Sequence, residues 1–169
     1  MIVGPRAKQA LLAKVEAADT GFTFVDNDRQ FEPKLWMFLD ASLVESTTQF
    51  EAGDACYPAL RDVTERSSVF IYAAAIADDD GQTTASIETD VALFVARLMQ
   101  LVAVDVTLGL GPGGADEMAG VQFVNCRIVT NETSTRQMQT AGGQPFNACR
   151  AFLELEVEAV LDIASLATS

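Results

Sequence analysis

From Arg150 to Ile163 the chain reads RAFLELEVEAVLDI. Leu153, Leu155, Val157, Ala159, Leu161 and Ile163 occupy alternate positions, with Glu154, Glu156 and Glu158 between them. Successive side chains of a β-strand point to opposite faces, so this period of two predicts a half-buried strand. One face must enter a core and the other must meet water or a partner. A chain holding such a strand needs a sheet with one covered side.

The other elements follow from the same kind of pattern. Pro5 suits the start of a helix, and Leu11, Leu12, Val15 and Ala18 recur behind it at helical spacing with Lys8. Phe22 to Val25 reads as a short strand and Leu35 to about Glu45 as a longer one after Pro33. Ser67 to Ala77 is apolar on both faces, which predicts a central strand. Trp36 and Tyr72 read as core or rim residues, with no basic residues interleaved to make a stacking platform. Ile87, Val91, Phe94, Val95, Leu98 and Leu101 make the clearest helical stripe, which Thr83 or Thr84 can cap. Val121 to Thr130 is a further strand. Polar stretches at about 46–63, 106–118 and 131–148 read as long loops, the first as a loop or a hairpin arm. The expected fold is one α+β domain over 1–169, a mainly antiparallel β-sheet with two helices packed on one face.

Composition narrows the chemistry. A chain of 169 residues can bury roughly 70% of its unfolded surface, so it needs no disulfide or metal to fold. The net charge is −13, with 11 scattered basic residues, which disfavours a grip on nucleic acid. Histidine is absent, which removes the commonest general base and metal ligand. Cys56, Cys126 and Cys149 form no CxxC pair and read as reduced, small apolar residues of a cytosolic protein. The N-terminus lacks the pattern of a signal peptide, the apolar run Val69 to Ala77 is too short to span a membrane, and Asn131-Glu132-Thr133 is a chance acceptor triplet.

The sequence carries no catalytic, cofactor-binding or metal motif. Gly109 to Gly114, GLGPGG, follows a helix and precedes an acidic segment, the reverse of a phosphate loop, and reads as a mobile surface loop. Asp78-Asp79-Asp80-Gly81 lacks the alternate acids and closing Glu of a calcium loop. Glu154, Glu156 and Glu158 lie about 7 Å apart along one strand face. Carboxylates in a regular row are unlike an acid–base pair in a pocket. They read as a solvated face, or as a uniform acidic field turned toward a channel or a neighbouring subunit.

The order of AKQALLAKVEA, EPKLWMFLDASLVE, RSSVFIYAAAIA, TTASIETDVALFVARLM, VQFVNCRIVT and RAFLELEVEAVLDI resembles the tail terminator, or tail completion, proteins of long-tailed bacteriophages and gene transfer agents. The resemblance covers most of the chain and rests on pattern and order. It implies a virion structural protein assembled in the host cytoplasm. A homohexameric ring would cap the tail tube protein and meet the head–tail connector protein. DNA would pass through it without being bound, and neither cofactor, catalysis nor membrane would be involved. A tail tube or neck ring protein is the close alternative; a small carboxylate-dependent enzyme is the distant one.

Overall fold

The computed structural model describes residues 2–24, 35–51, 59–77, 84–139 and 141–162. In chain order these form helix α1 (Val3–Ala17), strands β1 (Thr23–Phe24), β2 (Leu35–Glu51) and β3 (Ala59–Ala77), helix α2 (Thr84–Val104), and strands β4 (Val121–Gln139) and β5 (Pro145–Asp162). The five strands make one sheet in the order β1-β2-β3-β5-β4. Every pairing is antiparallel except the short parallel contact of β1 with β2. The expected α+β class, with helices on one face, is what the chain adopts.

Connectivity explains the helix between β3 and β4. These two strands run the same way with β5 between them. A parallel return needs a crossover, and α2, with 21 residues or about 31 Å, carries the chain back along the sheet. Its buried stripe is Ile87, Val91, Phe94, Val95, Leu98 and Val102. Leu153, Leu155, Val157, Ala159 and Leu161 of β5 join Phe94, Leu98 and the α1 residues Val3, Ala7 and Leu11 in one core. The period-two prediction therefore holds, over a strand that begins earlier than Arg150.

The strands are far longer than predicted. β2, β3, β4 and β5 have 17, 19, 19 and 18 residues, where five or six is usual. Residues 46–51 and 59–63 are not loop but the arms of the β2–β3 hairpin. The expected loop at 131–148 is likewise corrected: 131–139 belong to β4 and 145–148 to β5, around a short turn. The reason is exposure. Most residues of β4 beyond Thr130 are exposed, so nothing imposes an apolar period there. Val25, Cys56, the Asp78–Gly81 stretch, Thr83 and Ile163 lie outside the described residues, as does the side chain of Trp36. No helix among the described residues is long and apolar enough to cross a membrane.

Helix α1 begins at Val3, so Pro5 is its third residue and not its first. The opening turn is satisfied from outside the helix. Glu65 of β3, 2% exposed, points from the sheet into the helix end. Its Oε2 accepts from Ile2 N at 2.6 Å, and its Oε1 accepts from Val3 N at 2.9 Å and Gly4 N at 3.3 Å. Ser67 Oγ donates to the same carboxylate at 2.8 Å. Pro5 has no N–H to satisfy, so the first turn leaves no free donor.

Burial alone would raise the Glu65 pKa, but the amides of Ile2, Val3 and Gly4 and the Ser67 hydroxyl outweigh it and hold the carboxyl below its ordinary 4.5. A lowered folded-state value means that the contribution is complete above the unfolded value and is lost as pH falls through the folded one. We expect Glu65→Ala to cost about 2–4 kcal/mol in chemical denaturation at neutral pH. Glu65→Gln should also lower stability at neutral pH and flatten the loss of stability seen in the native chain below about pH 4.5. An unchanged acid limb in Glu65→Gln would show that this carboxylate does not carry it.

Candidate functional site

The helix-free face of the sheet carries the acidic row. Glu154, Glu156 and Glu158 all lie there, opposite the core side of β5. The expected uniform field is corrected by the neighbouring strands. Arg66 of β3 stands beside Glu158, and Arg127 of β4 beside Glu156. Arg127 donates through Nε and NH2 to Glu156 Oε1 at 3.1 and 2.6 Å. Glu154 takes the Ser68 hydroxyl at 2.7 Å and the Thr130 hydroxyl at 3.5 Å. Arg66 reaches Glu45 of β2 at 3.5 Å. Glu158 alone of the three is exposed. The face is a mixed charge ladder in which acids predominate.

Toward the other end of this face the surface turns aromatic. Phe152 lies 6.0 Å from Phe70 and 5.1 Å from Tyr72 between ring centroids. Tyr72, 39% exposed, sits at the rim as predicted.

The glycine-rich segment is not the mobile loop expected. Leu108 and Leu110 are buried in the core, and a chain of backbone bonds folds 105–121 onto itself. Asp116 N donates to Gly109 O at 3.0 Å, and Met118 N to Leu110 O at 3.4 Å. Asp105 ties the segment to α1 through Lys14 Nζ at 3.1 Å. Burial would raise the Asp105 pKa; the Thr107 hydroxyl and amide and the Lys14 charge pull it below the usual value. The amide of Gly113, which a phosphate would need, already donates to Glu117 at 3.0 Å. Cys126 N donates to Val106 O at 2.7 Å, so this segment also covers the start of the β4 edge.

No described group of three or more Asp, Glu or Cys could hold a metal. Cys126 and Cys149 are buried thiols, and burial, with a smaller push from the charge of Asp105, raises Cys126 to about 12. Such a thiol is inert at neutral pH.

The feature that sequence reading missed is at the sheet's two sides. β1 covers β2 only at Trp36 and Met37, so among the described residues β2 is open from Phe38 to Glu51. Among the described residues β4 likewise has no strand on its outer side and is open from Arg127 to Gln139. Long bare edges are templates for pairing with another chain. No family model matches the chain, and no curated protein matches it either.

The folded state of 105–121 is checked at Gly114. A Cβ there would stand 2.1 Å from the Gly109 carbonyl oxygen, whereas one at Gly113 would meet nothing within 4 Å. We expect Gly114→Ala to cost about 3 kcal/mol and to open the segment to limited proteolysis. Gly113→Ala, which meets only its left-handed backbone, should cost about 1 kcal/mol. Equal tolerance at both positions would mean the segment is not packed as described.

Proposed function

We propose that the chain is a virion structural protein of a long-tailed bacteriophage or gene transfer agent. In this reading it is a tail terminator, whose ring caps the tail tube and joins it to the head. The single observation that supports it most is the pair of open edges on opposite sides of one sheet. A subunit with two different sticky sides assembles head to tail, and such contacts close into rings when the rotation permits. A hexamer is the ring that the resemblance implies. A tail tube or neck ring protein would use the same geometry. Carboxylate chemistry has less support, because Glu154 and Glu156 are taken up by Ser68 and Arg127.

Helices on one face leave the ladder of Glu154, Glu156 and Glu158 for the other. If the helices lie outside the ring, this face lines the channel. Net negative charge there repels phosphate and lets DNA pass without sticking. The tail tube protein and the head–tail connector protein are then the axial partners.

Tagged protein is expected at tail ends in electron micrographs, and a ring mass in native mass spectrometry. Its absence from tail ends would sink the reading. Changing Glu154, Glu156 and Glu158 together to Lys should leave rings intact, since the Arg127–Glu156 pair, with Arg127 open to solvent, is worth about 1 kcal/mol, and β5 lies away from both edges of the sheet. The altered rings should retard DNA in gels at physiological salt, where the native protein does not. Rings that ignore DNA after this change would remove the ladder from the channel wall.

A further inference from the structure

Resting on that reading, we propose which edges meet: Arg127–Met138 of β4 in one copy pairs antiparallel with Phe38–Gln49 of β2 in the next, with Asp40 opposite Arg136. Three independent features of the sheet point to this junction.

The first is direction. β2 and β5 run one way, β3 and β4 the other. Placing β2 of the next copy beside β4 continues the alternation without a break. Rotation alone then generates a closed antiparallel barrel in which neither edge of any copy is left open.

The second is charge. The open stretch of β2 holds Asp40, Glu45 and Glu51 with no Lys or Arg. The open stretch of β4 holds Arg127 and Arg136 against Glu132. Two β2 edges would oppose acid to acid, and like charges directly opposite are unfavourable. A two-fold junction through β4 alone would leave each β2 edge bare. Only the unlike pairing satisfies both sides.

The third is offset. The open stretches lie toward opposite ends of the sheet, because β1 covers one end of β2 and Val106 the other end of β4. Thr133, at the centre of the open β4 stretch, stands level with Met37 through Ala151 and Ala73. The open β2 stretch centres near Val44, seven residues further on (44 − 37), or roughly 23 Å. Neighbours must therefore slip along the strands. Barrel closure requires such a slip: four strands tilted by 35–45° displace the next copy by roughly 13–19 Å.

Faces must also match, so the slip must be even. A slip of six, from the level of residue 37 to that of residue 43, preserves the alternation, because Met37 and Thr133 stand level on the helix side through Ala73 and Ala151. It places Asp40 opposite Arg136 and Ser42 opposite Ser134 on the other face. Asp40 and Arg136 are both exposed in the subunit, while Glu45, which comes near Glu132, keeps Arg66 as its own partner.

The test uses two full-length variants, Asp40→Lys and Arg136→Glu, with thermal melts to verify that each folds. Each alone opposes like charges at every junction and should lose ring mass by tenfold or more in native mass spectrometry. Mixed one to one, they present Lys to Glu and Asp to Arg, and should rebuild rings with alternating, equal composition. The neutral pair Asp40→Asn and Arg136→Gln should give weaker rings that no mixing rescues. Rings of undiminished yield from each charge variant alone would overturn the junction and leave the ring reading standing. A native protein that stops at a dimer would overturn it in favour of β4 self-pairing. Absence of native protein from rings and from tail ends would instead be a failure of the reading beneath it.

Discussion

One buried carboxylate sets the position of the helix layer. Glu65 stands in β3 among Val63, Ser67, Val69 and Ile71, on the side that every other feature marks as core. An ionised group there is costly unless each lone pair is used. The amides of Ile2, Val3 and Gly4 and the hydroxyl of Ser67 use them. The same contacts supply the donors at the start of α1 with an acceptor, and the helix dipole adds to them. Sliding α1 by one residue would strand a charge in the core. The apolar contacts of Ala7, Leu11 and Val15 give the helix affinity for the sheet; Glu65 gives it one register.

Elements with one wet and one dry side were legible in the amino-acid order. The β5 alternation and the α2 stripe each record a boundary between core and surroundings, and both appear where expected. β4 beyond Thr130 has little buried side to record, so its Thr, Asn and Gln residues looked like a loop. The Glu65 cap was illegible for another reason: acceptor and donors lie about sixty positions apart and match no local capping pattern. Distance in sequence also hid the partners of the acidic row. Arg127 comes from the adjacent strand, and no reading of β5 alone could supply it. At GLGPGG the glycines suggested freedom, yet Leu108 and Leu110 anchor the segment and Gly114 is there because a side chain would strike the Gly109 carbonyl.

Long strands carry a cost that shorter ones avoid. Each added residue on an outer strand exposes further unpaired backbone, and proteins that stay monomeric usually blunt such edges with bulges, prolines or short lengths. Here β2 has a bulge near Leu43, and β4 has bulges near Val121 and Ile128, but both strands run on well beyond them. The folded segment at 105–121 and strand β1 each cover one end of one edge. What they leave open has nearly equal length on the two sides, which is the condition for one copy to complete the next.

The central claim is that the two open edges become paired backbone when the protein assembles. Amide hydrogen exchange measured on separated monomers and on assembled rings addresses it directly. The account predicts that the alternate, outward-pointing amides within 38–49 and 127–138 exchange rapidly in the monomer and become strongly protected in the ring. Those of β3 and β5, already paired on both sides, should change little. Rings whose β2 and β4 edges exchange as fast as in the monomer would contradict it, because subunits would then be joined through some other surface.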